Sequence, residues 1–236
     1  IGVDRPYDGS FAANTSEEVM ARFAAARARG ALITIAHPFD EGCPFLFDPD
    51  SLPFDCIEVW NGPMRPANLQ ALGWWHSLLV AGKKIPVCGG SDYHHSQLFL
   101  FPGGPATCVY ALSAGASDIL SALRRGHAYI MFAPDGPTLS MTAGEAMMGD
   151  SVPFALVKEL QVDVTGLRAR DVLQVMTAQG STVLMTAGTP GDFQGSYTME
   201  APGFARVEIL REFVPGMPIL PALISNPIYF DCQTVP

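Results

Sequence analysis

The sequence has little charge, and what it has is mostly negative. Of its 236 residues 16% are charged, with 14 Lys and Arg against 23 Asp and Glu and a net charge of −9. A nucleic-acid binder needs a basic face to displace phosphate counterions, so this balance argues against a nucleic-acid partner. A phosphorylated small molecule stays open, because a bound metal can reverse the charge of one cleft. No apolar run approaches the roughly 20 residues of a membrane-spanning helix, and no membrane partner is expected. The five cysteines, Cys43, Cys56, Cys88, Cys108 and Cys232, form no Cys-x-x-Cys pair. Zinc-finger spacing and a disulfide framework are therefore both missing, and the cysteines read as buried free thiols. Histidine is also scarce, with five in the chain, which makes the adjacent pair in "IPVCGGSDYHHSQ" conspicuous.

Hydrophobic residues are plentiful, at 48%. They can fill a large core and argue against disorder. The length fits one or two domains. After a turn-rich polar start over 1–15, "TSEEVMARFAAARARG" predicts a helix capped by Thr15 or Ser16, with Glu17 and Glu18 in its first turn and Gly30 as its stop. "ALITIAHP" reads as a short strand. A loop covers about 39–54, and "CIEVWNG" is a second strand. "RPANLQALGWWHSLLVAGK" carries Leu69, Leu72, Trp75, Leu78 and Leu79 at helical spacing and stops at Gly82. "IPVCGGSD" is a third strand, "SAGASDILSALRRGH" a further helix, and "AYIMFA" a further strand. Strand alternating with helix predicts parallel β/α units. Beyond Pro134 the pattern becomes short β runs such as "ELQVDVTG" and "ARVEILRE", which alternate as half-buried strands do. The expected architecture is a β/α portion over 1–134 and a small antiparallel β-sandwich over 135–236.

Chemistry gathers at strand ends. In an extended strand, residues i and i+2 share a side, so Asp92 and His94 converge as a carboxylate and an imidazole, a good start for a divalent metal. In a barrel of parallel β/α units, chemistry sits at the C-terminal ends of the strands. His37, Glu58 and the Asp92-x-His94 pair fall at or near the ends of three consecutive predicted strands. Each has a plainer reading as well. His37 before Pro38 can cap a loop, Asp92 after Ser91 can serve an Asx turn, and Glu58 can pair with a buried arginine. His95 points opposite to His94 if the strand continues, which makes it a candidate one step removed from the site. His76 on the second helix and His127 before "AYIMFA" are weaker candidates. Arg65 and Lys83–Lys84 are the cations that a phosphate site would want near its rim. Phe39, Phe45, Phe47, Trp60 and Met64 form either an apolar pocket wall or core.

The ordered segments "ALITIAHPFD", "IEVWNG", "IPVCGGSDYHH", "GGPATCVYA" and "ILSALRRGHAYI" resemble the PHP (polymerase and histidinol phosphatase) superfamily. The nearest likeness is to its carbaryl-hydrolase-like CehA/McbA branch, and "LISNPIYF" resembles the end of the β-domain found there. The resemblance covers nearly the whole chain, most firmly 31–132. It implies a distorted seven-stranded, TIM-like β/α barrel holding two or three divalent ions (zinc, manganese or iron). It further implies hydrolysis of an ester, most often a phosphoester, by metal-activated water. Carried over by motif, His37, Asp92 and His94 are metal ligands, with Asp92 also a candidate to take the proton of the attacking water. Glu58 and His95 are further site candidates.

The chain departs from that pattern in lacking the family's His-x-His strand, its Asp-His pair and a further Glu and His. Half a barrel would expose an edge strand, so an N-terminal segment or second chain completing the barrel is expected. The expected function is a metal-dependent hydrolase acting on a small-molecule ester, a phosphoesterase first. The alternatives are a carboxylic or carbamate ester hydrolase, and a non-catalytic remnant or interaction module.

Overall fold

The computed structural model describes residues 1–3, 12–96 and 100–232. The turn-rich reading of 4–11 lies outside the described residues. Helix α1 spans Ser16–Arg27, and its N-cap Thr15 accepts the Glu18 N–H at 3.2 Å on Oγ1. Strand β1 is only Thr34–Ile35, β2 is Cys56–Asn61, α2 is Pro66–Val80 and β3 is Val87–Gly90. Pro66 opens α2, where its missing N–H costs nothing and its fixed φ suits a first turn. β4 (Ala106–Val109), α3 (Ala116–Arg125) and β5 (Ala128–Met131) follow. Gly126 ends α3 in the left-handed region at φ 79°, a conformation that costs glycine little. The remaining strands are β6 (Thr138–Ala143), β7 (Ala146–Met147), β8 (Ser151–Pro153), β9 (Glu159–Leu167) and β10 (Val172–Thr177). They continue with β11 (Gly180–Thr186), β12 (Gly191–Thr198), β13 (Gly203–Arg211), β14 (Leu220–Ser225) and β15 (Ile228–Asp231).

These strands form three sheets. β1, β2 and β3 make a small parallel sheet. The large sheet runs β11-β10-β13-β14-β5-β4, with β15 pairing both β13 and β8. The third is antiparallel, in the order β12-β9-β6-β7. The large sheet is the middle layer, and strand alternation gives it two buried faces. Tyr129, Met131, Ala205, Val207, Ile209 and Leu223 face the third sheet, packing on Leu139, Met141, Leu160 and Val162. Ile130, Phe204, Ile224 and Tyr229 face the other way, onto Ile57, Val59, Trp75 and Leu78 of the β2-α2-β3 unit. Each such apolar side chain contributes about 1.5–3 kcal/mol on burial, so the middle sheet ties both outer layers into one core.

The expected TIM-like barrel does not form. Among the described residues the sheets are open, the run of parallel neighbours that begins at β1 stops at β3, and β4 and β5 join by antiparallel pairing the large sheet that also takes strands from beyond residue 134, where only β8 and β15 pair in parallel. The physical reason lies on the free edge of β3, where a barrel's next strand would pair. There Asn226 Oδ1 accepts the Val87 N–H at 2.8 Å, and Asn226 Nδ2 donates to the Val87 carbonyl at 3.1 Å. Two residues along, Thr107 Oγ1 accepts the Gly89 N–H at 2.9 Å and donates to the Gly89 carbonyl at 2.7 Å. Side chains of the large sheet thus take the bonds a fourth parallel strand would have made. A Cβ at Gly89 would lie 2.7 Å from Ile130 Cγ2 and 2.8 Å from the Trp60 carbonyl, so glycine permits this close approach.

All five cysteines are free, as expected, but only Cys56 and Cys88 are buried. Cys43 and Cys232 are exposed because they lie outside the core-forming strands, and Cys108 is intermediate.

Candidate metal centre

β1 ends at Ile35 beside Ile57, and the next residue of β2, Glu58, ties His37 beyond β1 to Asn61 at the end of β2. Glu58 Oε2 accepts the backbone N–H of His37 at 2.9 Å and the Asn61 Nδ2–H at 3.2 Å. Glu58 is half-buried, and burial pushes its carboxyl up from the ordinary value. The His37 and Asn61 hydrogen bonds and the His37 ring oppose that rise, and the negative charge of Asp92 adds to it. Glu58 therefore does not pair with a buried arginine. It lies between the His37 and Asp92 segments and fixes the first of them.

His37 and Asp92 share an unusual backbone. Their φ angles are +32° and +47°, and among the described residues only Arg170 joins them as a non-glycine in that region. Such conformations are uncommon for side-chain-bearing residues and cluster at functional sites. His37 Nδ1 donates to the Cys43 carbonyl at 3.1 Å, and His94 Nδ1 donates to the Asp92 carbonyl at 2.7 Å. A carbonyl can only accept, so each neutral ring carries its proton on Nδ1 and its lone pair on Nε2. Backbone carbonyls orient metal-binding histidines in this way.

Asp92 and His94 come together, but not by strand alternation. β3 stops at Gly90, Asp92 turns the chain, and His94 folds back so that its Nδ1, the nitrogen bonded to the Asp92 carbonyl, lies 3.8 Å from Asp92 Oδ1. Both are exposed, as is His95. All three line an open cleft of about 370 Å³ whose other walls include Asn61, Arg65 and Ser91. His37 is not among its walls. Among the described residues, no three His, Cys, Asp or Glu side chains converge closely enough to hold a metal ion. The donor chemistry suits a divalent ion, whereas the number of converging donors falls short of a complete shell.

The other candidates fall elsewhere. His76 on α2 stacks edge-on against Phe204, with ring centroids 5.5 Å apart. His127 Nε2 lies 2.9 Å from Asp150 Oδ1. Lys84 binds Asp231 Oδ2 and Ser151 Oγ, each at 2.7 Å, before β3 begins and so at the end opposite the cleft. Trp60 is core, with its indole N–H donating to the Gly62 carbonyl at 3.0 Å. Phe39 packs edge-on against Trp74 at 5.8 Å. Asn61 escaped the sequence reading. It is buried, bonds Glu58 and accepts from Arg65 Nη2 at 3.3 Å on Oδ1. Its signal was a second polar residue, besides Glu58, closing a largely apolar strand just before Gly62.

Comparison with family models, with curated proteins and with solved structures finds no match in any of the three. The likeness to the PHP superfamily rests on the motifs alone.

Proposed function

We propose that this protein is a metal-dependent hydrolase of ester bonds, related to the PHP superfamily, with His37, Asp92 and His94 supplying part of the ligand set. The observation that carries this reading is the shared construction of the two ligand-bearing segments. Each has a residue held at positive φ beyond a parallel strand, and each has a histidine whose Nδ1 is tied to a backbone carbonyl. A divalent zinc, manganese or iron ion, when bound, would lower the pKa of a coordinated water and polarise the substrate's ester oxygen. His37 and His94 would offer Nε2. The Asp92 carboxylate would share in ligation and accept the proton of the attacking water. Glu58 and Asn61 would hold the His37 backbone against the end of β2. His95 lines the same cleft and would face the substrate.

A second reading draws on the lack of three converging donors among the described residues. It makes the chain a non-catalytic interaction module. Hydrolysis of p-nitrophenyl phosphate and p-nitrophenyl acetate, with manganese or zinc added, tests the first reading. Asp92→Ala and His94→Ala should each lower turnover at least a hundredfold while leaving the far-ultraviolet circular dichroism unchanged. Turnover equal to wild type in both variants would remove the site assignment.

A further inference from the structure

We propose that this protein docks on a zwitterionic lipid surface through the loop between β13 and β14. Such docking is independent of the hydrolase reading. It needs no spanning helix, only apolar side chains that enter the headgroup region.

Residues 213–219, "FVPGMPI", are all exposed and none is charged. Phe213, Val214, Met217 and Ile219 keep 39%, 57%, 60% and 52% of their surface open to water. No other seven-residue run among the described residues exposes four large hydrophobic side chains. A lone exposed leucine is ordinary, whereas apolar surface gathered at one tip marks a contact site. The base of the loop is held, because Phe213 packs edge-on against Phe132 with ring centroids 5.1 Å apart. Asn226 bonds both Val87 and Ala128, and Gly89 lies against Ile130, so β3 and β5 run the same way. β13 ends and β14 begins beyond Met131 of β5. The tip therefore projects from the end of the molecule at which Asp92 and His94 line their cleft.

The chemistry of the tip favours lipid over protein. Each side of a stable protein interface takes about 20–30 residues and carries direct hydrogen bonds, and seven residues without a polar side chain supply neither. Hydrocarbon instead penalises unpaired backbone donors. From Pro215 to Pro218 none is left. The two prolines have no N–H, the Gly216 N–H donates to Glu212 Oε1 at 2.7 Å, and the Met217 N–H donates to the Val214 carbonyl at 3.0 Å. The adjoining charge is neutralised, because Glu212 Oε2 pairs with Arg170 Nη1 at 2.5 Å. A neutral tip on a protein of net charge −9 matches zwitterionic headgroups and not anionic ones.

The test is co-sedimentation of the full chain with sucrose-loaded phosphatidylcholine vesicles. Wild type is compared with the double variant Val214→Ser/Met217→Ser and with Leu112→Ser. Leu112 is 99% exposed and lies beyond β4, at the opposite end of the molecule. Wild type should bind equally at low and high salt, and Leu112→Ser should match it. The double variant should bind about tenfold more weakly or worse, since each lost side chain is worth about that factor when buried. Its two positions are exposed, so its urea midpoint should equal that of wild type. Wild type absent from the vesicle pellet, or a double variant that sediments as wild type does, would overturn the proposal. Binding seen only with phosphatidylserine present, and lost in salt, would overturn it as well. A wild-type dimer in analytical ultracentrifugation that the double variant breaks up, with no vesicle binding, would overturn it in favour of a second copy of the chain.

Discussion

Asn226 joins the small parallel sheet to the large one, and its removal should be felt by the whole molecule. It is fully buried, and its amide makes three bonds: from Val87 N–H, to the Val87 carbonyl and to the Ala128 carbonyl. The Ala128 carbonyl keeps a partner in the Asn226 backbone N–H at 3.3 Å. Both Val87 groups, on the open edge of β3, lose theirs in Asn226→Ala. Two orphaned buried backbone groups cost about 1–3 kcal/mol each, and the third bond adds about 1 kcal/mol, giving a loss of about 3–7 kcal/mol. A domain's whole stability is about 5–15 kcal/mol, so the variant should be marginal. At about 2–4 °C per kcal/mol for a chain of this size, its melting midpoint should fall by at least about 6 °C. Asn226→Asp keeps an acceptor for Val87 N–H but turns a carboxylate toward two carbonyls, so it should fare no better. Equilibrium urea unfolding, followed by circular dichroism and tryptophan fluorescence, measures the loss. A loss below about 1 kcal/mol in Asn226→Ala would refute the stapling of β3 by side chains.

Two further outcomes follow from the same geometry. The His76 pKa is lowered by burial first and by Arg206 next, with Glu208 opposing, and its Nδ1 is buried without a hydrogen-bond partner. The unfolded chain therefore binds more protons than the folded one as pH falls below about 6.5, and stability should fall with it. Urea midpoints measured from pH 7.5 to 5 should show this fall, and His76→Gln should flatten it; an identical slope in the variant would refute the assignment. At Asp92, φ of +47° penalises any Cβ, so Asp92→Gly should be more stable than Asp92→Ala by about 1 kcal/mol. Thermal melts of the two metal-free variants compare them directly, and an Asp92→Gly protein less stable than Asp92→Ala would contradict the strain.

The local elements were largely legible in the sequence, whereas their assembly was not. Thr15, Glu17 and Glu18 marked the start of α1, Gly126 marked the end of α3, and "ELQVDVTG" lies in β9; "ARVEILRE" supplies β13 as far as Arg211, but that strand is buried on both faces, Arg206 and Glu208 included, where its alternation predicted one wet face. These signals act within a few residues, where capping and side-chain period dominate. The barrel failed because it depended on the neighbour of β3. That neighbour is set by Asn226, 139 residues from Val87, and by Thr107, 18 residues from Gly89. No local period encodes such pairs. The site was legible as residue types at strand ends, and Asp92 and His94 do share one cleft. Their meeting comes from a turn at Asp92 rather than from a continuing strand, because the ladder ends at Gly90. Asn61 and Arg65 gain their places from Glu58 and Asp40, contacts that spacing alone does not reveal.

The most direct test of the central claim is the metal content of the purified protein, by elemental mass spectrometry, with intact mass taken on the same sample. The hydrolase account predicts at least one equivalent of zinc, manganese or iron, lost on Asp92→Ala or His94→Ala. Near-zero metal in the wild-type protein, persisting after incubation with each of the three ions, would contradict it and leave the interaction-module reading in its place.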